Sequence, residues 1–380
     1  MMQASKDETP LLEGLIVLDL SQGIAGPYCG LLLRQQGARV IKVEPPTGDW
    51  SRQMGRARAG HTAISIAYNA GKESVVLDTR TPEGRSALQR LATKADIVIQ
   101  NFRPGVAERM GAGYEELARA NPKLIYVSIS GYGPDGPMAQ LPALDTTMQA
   151  VSGLMYVNRD VATDQPRRIG FFLIDLTTGM YAAQNIGTAL YRAALTGQGR
   201  HIHVSMLQAS AALQSYIVLD DAMFPHAESA VFNAPTGIFE TQDGPLYISM
   251  LNDAMFQRLA STLGFDDWLS DPELRSSAGR MPRAAELNQR VAAKLAENSR
   301  DYWERALADN DVLFGRVNHP RDLRTNPQAL HSGLFSALPQ TGIGELPWPG
   351  LPGNGFHQIA PGEAPTLGQH TEAIIKEFNL

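Results

Sequence analysis

The sequence contains little cysteine, no long apolar run and no excess of positive charge. Its single cysteine, Cys29, excludes an internal disulfide and any zinc site built from several cysteines. No segment approaches the roughly 18 apolar residues of a membrane-spanning helix, and residues 1–10 lack the basic and apolar start of a signal peptide. The net charge of −6 argues against a nucleic-acid-binding protein. We expect a cytoplasmic protein that does not bind membranes.

The composition is that of a folded globular chain. Hydrophobic residues make up 43% of the 380 residues and charged residues 19%, which excludes a disordered chain, a coiled coil and a collagen-like repeat. At about 150 residues per domain, this length corresponds to two or three domains.

The first half of the chain alternates short β-branched runs with helical segments. The predicted strands cover residues 15–20, 40–44, 74–78, 96–100, 124–129 and 201–205. The helices predicted between them cover residues 27–36, 82–94, 106–120 and 175–195. This alternation indicates the α/β class, with an open, mostly parallel sheet that carries helices on both faces.

The pattern changes near residue 230. The dipeptide Asp243-Gly244 predicts a β-hairpin within residues 236–250. Helical segments follow at about 253–263, 283–298 and 300–309, so we interpret this part as a smaller α+β domain. The stretch 336–365 is rich in proline and glycine and predicts an extended, wrapping segment.

The first strand, turn, helix and second strand have the layout of a dinucleotide site, with Glu44 ending the second strand. The loop 23–27 lacks the G-x-G-x-x-G spacing, however, and Pro27 has no N–H to offer a phosphate. A structural strand–turn–helix is therefore favoured over NAD binding.

Polar and basic residues follow two of the predicted strands. Asn101, Phe102 and Arg103 come directly after one strand, and Arg80 follows another. If these strands are neighbours, their carboxyl ends place the residues at one edge, where open α/β sheets bind ligands. With Arg109 they could form an anion site, because guanidinium groups suit phosphates. The alternative is that these are solvated surface arginines.

An acidic residue, Asp175, opens the long predicted helix. That position is typical of a helix N-cap. Five of the six residues 169–174 are apolar, however, so the carboxylate is expected to be poorly hydrated. Desolvation raises a carboxyl pKa, whereas a helix N-terminus keeps the group ionised. A dry but ionised carboxylate is a competent nucleophile. His201 and His203 have no third ligand nearby, so no metal site is predicted.

Together these motifs resemble the class III CoA-transferases, the family that contains formyl-CoA transferase and carnitine CoA-transferase. The resemblance covers nearly the whole chain and depends on the order and spacing of residues 18–19, 25–27, 37–44, 77–78, 101–105, 109–111, 130–133, 149, 152–153, 175–180, 196–200, 241–244 and 367–371. It implies a homodimer of two interlocked, ring-like chains. Each chain would have a Rossmann-like large domain over 1–225, completed by a strap over 326–380, and a small α+β domain over 226–325.

The resemblance also implies the activity: CoA moves from an acyl-CoA donor to a carboxylic acid acceptor. Asp175, with Gly179 in the family's D-x-x-x-G context, would be the nucleophile and would carry first an acyl anhydride and then a CoA thioester. Acyl-CoA and a small carboxylic acid would be substrates, with no tightly bound cofactor. The implied CoA-contacting positions are Ala25, Leu77, Asp78, Thr79, Arg80, Asn101, Phe102, Arg103, Arg109 and Asp145.

The chain departs from some family members at several positions. It has Ile24 where some have glutamine, Pro45 where formyl-CoA transferase has arginine, and no glycine-rich loop near 250–255. Formyl or oxalyl specificity is therefore disfavoured, and small dicarboxylates and more apolar acids both stay open. Leu144-Asp145 stands where the related α-methylacyl-CoA racemases carry a His-Asp pair, so the acid–base pair of a racemase is incomplete. A racemase and a non-catalytic CoA-binding protein are the alternatives.

Overall fold

A computed structural model describes residues 9–160, 163–225, 233–350, 352 and 359–380. These residues form two compact units. The larger unit comprises the described residues up to Asp220 and from Gly333 onward, and the smaller unit spans Asp221 to Ser332. The boundaries drawn at 225 and 326 lie a few residues from these.

The strands, in chain order, are β1 (Ile16–Asp19), β2 (Arg39–Glu44), β3 (Ala57–Arg58), β4 (His61–Thr62), β5 (Glu73–Val76), β6 (Ile97–Gln100), β7 (Ile125–Ser130), β8 (Arg200–Ser205), β9 (Gly237–Thr241), β10 (Gly244–Ile248), β11 (Phe314–Arg316), β12 (Phe335–Gln340) and β13 (Gly344–Pro349). The helices are α1 (Ala25–Gln35), α2 (Ala63–Asn69), α3 (Pro82–Ala92), α4 (Val106–Arg109), α5 (Tyr114–Ala120), α6 (Asp145–Val151), α7 (Leu154–Val157), α8 (Leu173–Thr196), α9 (Met206–Leu213), α10 (Ser215–Met223), α11 (Asp253–Leu263), α12 (Asp266–Ser270), α13 (Ser277–Arg280), α14 (Ala284–Leu295), α15 (Arg300–Asp309), α16 (Pro327–His331) and α17 (Thr371–Phe378). Short 3₁₀ helices lie at Trp50–Gln53, Glu273–Arg275, Met281–Arg283 and Pro320–Thr325. Among the described residues, no helix is both long enough and apolar enough to cross a membrane.

Six parallel strands form the main sheet of the larger unit, in the order β5–β2–β1–β6–β7–β8. Numbered by their position along the chain, the six strands have the order 3-2-1-4-5-6 of the Rossmann fold. Successive strands extend the sheet toward one edge from β1 to β5 and toward the other edge from β6 to β8, so the strand order reverses between β1 and β6. The predicted α/β parallel sheet is confirmed. Ligands of such sheets bind outside the carboxyl ends of the strands that flank the reversal.

Side chains alternate between the two faces along each strand, and helices bury both faces of this sheet. Leu18 of β1 packs in a core with Leu88 and Leu91 of α3. Its neighbour Val17 packs on the opposite face with Cys29 of α1 and Ile186 of α8. Each fully buried aliphatic side chain contributes about 1.5–3 kcal/mol, so the sheet and its flanking helices hold the strand ends rigidly.

Two predicted segments differ in the structure. The single helix predicted over 106–120 is wrong: Gly111 has φ +78°, in the left-handed region, and separates α4 from α5. The stretch 336–365 is also more regular than predicted, because β12 and β13 pair as a hairpin. Leu338 and Trp348 point from that hairpin into a core with Ile66. Residues 351 and 353–358 of this stretch lie outside the described residues.

The smaller unit contains an antiparallel sheet, β11–β10–β9, packed with helices. The predicted hairpin is confirmed, with Gly244 at φ +133° following the turn. Trp268 and Trp303 lie in its core. Arg280 is fully buried, and its guanidinium donates to Asn233 and pairs with Asp253 at 2.6 Å.

Candidate active site

The amino terminus of α8 is capped by a side chain from another helix. Oδ2 of Asp145 accepts the N–H of Ile174 at 2.8 Å and that of Asp175 at 3.0 Å. Oδ1 of Asp145 accepts from Nε2 of Gln149 at 2.6 Å. The helix begins at Leu173, so Asp175 lies in the first turn and its interpretation as an N-cap is wrong. Asp145 provides the acceptor that the free N–H groups of a helix start require.

Asp175 is left in an unusual electrostatic position. Its carboxylate is half-buried, and within the described part of the chain no donor lies within hydrogen-bond distance of it. Burial, together with the negative charge of Asp145, raises the pKa of Asp175 to about 7. The helix N-terminus does not offset this effect as expected, because Asp145 takes the N–H groups. Carboxyl groups perturbed in this way are concentrated at functional sites.

Gly179, one helical turn after Asp175, lies where α8 contacts α1. A Cβ at Gly179 would lie 2.6 Å from the carbonyl oxygen of Ala25 and 3.1 Å from Cδ1 of Tyr28. Only glycine therefore lets α8 pack this closely against α1. The close approach brings the first turn of α1 beside Asp175, and Ile24 offers that turn no side-chain cap.

A cleft of about 370 Å³ opens at the carboxyl ends of β1 and β6, where the strand order reverses. We call it the strand-end cleft. Five of the residues singled out from the sequence line it together: Ala25, Asn101, Phe102, Arg103 and Asp175. They come from three separate parts of the chain, and the parallel sheet brings them to one edge.

The structure does not bring all predicted residues to this cleft. Leu77 to Arg80 follow β5, which is separated from β6 by β2 and β1, a distance of about 14 Å across the sheet. The two strands are therefore not neighbours. Arg80 pairs with Asp78 at 2.8 Å, and its hydrogen bonds lower the pKa of Asp78 to about 2. Leu77 and Arg109 line two other surface clefts. Their contacts with CoA stay predictions.

Asn101 and Arg103 differ in what they can do. Nδ2 of Asn101 donates to the carbonyl of Gln22 at 2.7 Å, and Oδ1 accepts its N–H at 2.9 Å, so this amide holds the loop after β1. Arg103 is exposed at the cleft, and no carboxylate among the described residues pairs with it. Its guanidinium is available for an anion.

A buried ionic network lies beneath the same loop. Lys72 pairs with Asp19 at 2.8 Å and Lys42 pairs with Asp49 at 2.8 Å, and all four side chains are fully buried. Asp49 also accepts the N–H of Gly23 at 3.0 Å. Because buried charges are stable only when paired, the network fixes the backbone that forms one wall of the strand-end cleft.

A second cleft, of about 300 Å³, also has Asp175 in its wall. Asp175, Ile24, Trp50 and Leu144 line both clefts. The second cleft is further lined by Met54, Arg168, Phe171 and Phe172. One carboxylate at the junction of two clefts suits a reaction that transfers a group between two substrates.

Sequence reasoning did not identify Trp50 as a site residue. A Cβ at Gly23 would lie 2.1 Å from Cζ2 of Trp50, so the indole covers the loop after β1. Trp50 follows the carboxyl end of β2. The rule that ligands bind at the carboxyl ends of parallel strands, which identified the residues after β6, could have identified Trp50 too. Arg168 is distant in sequence from the end of any strand of the main sheet, so the same rule could not have identified it.

Comparison with known proteins gives matches along almost the entire chain. A family model described as CoA-transferase family III matches residues 12–371. The chain is 33% identical over 377 residues to the acetyl-CoA:oxalate CoA-transferase of Acetobacter aceti, covering 96% of this chain and 95% of that protein. It is 30% identical over 386 residues to the human succinyl-CoA:glutarate CoA-transferase, covering 99% and 87%. The structure of a CaiB/BaiF family protein from Brucella suis matches with a TM-score of 0.87 and 31% identity, covering 98% and 100%.

Proposed function

This chain belongs to CoA-transferase family III and is a CoA-transferase, and on that premise we propose that it transfers CoA through covalent intermediates on Asp175. The observation that carries the proposal is the carboxylate of Asp175, half-buried at the junction of two clefts. Its two neighbours support the assignment: Asp145 takes the helix N–H groups, and Gly179 lets α1 approach.

In the proposed reaction, one oxygen of Asp175 attacks the thioester carbonyl of the donor, and the C–S bond breaks to release CoA thiolate and leave a mixed anhydride. The thiolate attacks the aspartyl carbonyl, which releases the donor acid and forms an aspartyl-CoA thioester. The acceptor carboxylate attacks this thioester, and the released thiolate then attacks the acceptor's carbonyl, which restores Asp175. No net proton is consumed, so no external base is required.

We assign CoA to the strand-end cleft. The first-turn N–H groups of α1 have no acceptor within the helix and suit a developing oxyanion. Arg103 suits a phosphate, and Phe102 and Ala25 provide apolar contact. The extended CoA molecule would reach the surface positions Leu77 to Arg80, and Arg109, with its phosphates. Asp145 would act through Asp175 by the hydrogen bond to its N–H.

Leu144 supports a transferase rather than a racemase. This leucine lines both clefts beside Asp175. An apolar side chain at that position cannot exchange a proton, so it cannot complete the acid–base pair for α-proton exchange.

Covalent trapping tests the proposal. The enzyme is mixed with succinyl-CoA as a probe and quenched with hydroxylamine, which converts an aspartyl anhydride or thioester to a hydroxamate. Peptide mass spectrometry is expected to find the hydroxamate on Asp175 and nowhere else. Rapid CoA transfer from any donor with an unmodified Asp175 would overturn the mechanism.

The raised pKa of Asp175 predicts a pH dependence. The nucleophile must be ionised, so kcat/KM for the acyl-CoA is expected to rise about tenfold per pH unit below about pH 7 and to level off above it. In D145N the neighbouring charge is gone, so this rise is expected at lower pH, while the amide oxygen of asparagine can still accept from the helix. Profiles between about pH 5 and pH 9 measure both. A flat profile, or one unchanged in D145N, would contradict this electrostatic account.

We also propose that the protein works as a homodimer in the cytoplasm. Helices α8 and α10 carry large apolar side chains that are exposed in the single chain, among them Tyr191, Leu195, Tyr216 and Leu219. Exposed apolar side chains in such number are typical of a surface that another chain covers. Sedimentation of the protein measures whether two copies associate.

A further inference from the structure

The second cleft contains a single cation beside two carboxylates. Arg168 lines it together with Asp145 and Asp175, and it is the one positively charged side chain among the residues that form its wall. Arg168 is exposed, and no carboxylate in the described ranges pairs with it. Its neighbour Arg167, by contrast, pairs with Asp160. Within the described residues, Arg168 is therefore a guanidinium without a carboxylate partner, in the wall of the same cleft as the reacting carboxylate.

The charges on the wall determine which acids this cleft suits. Asp145 accepts hydrogen bonds from two backbone N–H groups and from Gln149, and it keeps its negative charge. In the aspartyl-CoA thioester, Asp175 is uncharged and accepts attack by one carboxylate. A second carboxylate on the same acid would need its own cation, because it would otherwise face Asp145 in a partly desolvated space. Arg168 supplies that cation.

The volume of the second cleft and its apolar walls also favour a short acid. Its volume of about 300 Å³ is at the small end of the range of about 300–1,000 Å³ that is typical of ligand pockets, which suits a short acid. Trp50, Met54 and Phe171 provide apolar surface between the two ends. This surface suits the methylene groups of a short acid that has one carboxylate at each end.

We propose that the second cleft binds short dicarboxylic acids, with Arg168 pairing with the carboxylate that does not react. This inference rests on the proposed CoA transfer at Asp175. Of the two classes of acid that the sequence left open, this inference favours the small dicarboxylates over the more apolar acids. The planar guanidinium can bind a carboxylate with two parallel hydrogen bonds, so Arg168 selects the acid and also sets the distance between its two ends.

The test compares two acids of equal chain length. Exchange of label is measured between glutaryl-CoA and labelled glutarate, and between valeryl-CoA and labelled valerate, which lacks the second carboxylate. The wild type is expected to prefer the glutaryl pair. In R168Q, kcat/KM for the glutaryl pair is expected to fall about 10- to 100-fold more than that for the valeryl pair, mainly through KM. R168K is expected to recover part of the loss, because an ammonium pairs without the two-point geometry.

R167Q is the matched control, because Arg167 is adjacent and exposed but does not line the cleft. It is expected to leave the ratio of the two exchange rates unchanged. If R168Q lowers both exchanges equally, or if the wild type prefers valeryl-CoA, the inference is wrong while CoA transfer stands. If the wild type exchanges neither pair and no acyl-CoA modifies Asp175, the proposed transfer fails, and the inference fails with it.

Discussion

D175N is expected to lower kcat for CoA transfer by at least about 10⁴-fold, the scale seen when a covalent nucleophile is removed. The amide has nearly the same shape as the carboxylate but cannot attack a thioester. The packing of α8 on α1 depends on Gly179 and the helix cap depends on Asp145, so the fold is expected to persist. The label-exchange assay measures the loss. Turnover within tenfold of the wild type would exclude Asp175 as the nucleophile.

The stability of D175N separates loss of chemistry from loss of fold. The carboxyl pKa is about 7 in the folded chain and about 3.9 in the unfolded chain. Between these values the folded state binds more protons, so the stability of the wild type falls as the pH rises through this window. Asparagine removes this penalty. D175N is therefore expected to melt a few °C above the wild type at pH 8 and close to it at pH 4.

K72M is expected to lower the free energy of unfolding by about 3–5 kcal/mol, the cost of leaving a buried charge without its partner. Lys72 is fully buried, pairs with Asp19 at 2.8 Å and donates to the carbonyl of Pro27 at 2.7 Å. Methionine fills similar space but leaves the carboxylate of Asp19 short of a cation. Urea unfolding followed by circular dichroism measures the change.

The double variant D19N/K72M is the control for this interpretation. It removes both charges, and the asparagine oxygen can still accept the N–H of Ser21, as Asp19 does at 3.0 Å. Lys42 keeps its partner Asp49. The double variant is therefore expected to be more stable than K72M alone. The single variant D19N completes the comparison. If the loss in D19N/K72M equals the sum of the losses in D19N and in K72M, the ion pair is not the cause.

Predictions from the sequence were correct for elements that depend on only a few neighbouring residues. The β-branched runs of the main sheet and the turn at Asp243-Gly244 follow from hydrophobic period and turn chemistry, and the structure confirms them. The helix over 106–120 failed because the left-handed conformation of Gly111 overrides continuous helical spacing. Asn101, Phe102 and Arg103 were found through the rule that ligands bind at strand ends, and they do line a cleft with Asp175.

The sequence alone determined the α/β class, the strands and helices of the sheet, and the choice of Asp175 as the residue to examine, because periodicity, caps and turns act over a few neighbouring residues. Only the tertiary structure decided the strand order, which separates Arg80 from Arg103. It also decided that Asp145, thirty positions away, caps α8 and raises the pKa of Asp175. Burial and charge act through space, so the reactivity of a carboxylate depends on residues that only folding brings next to it.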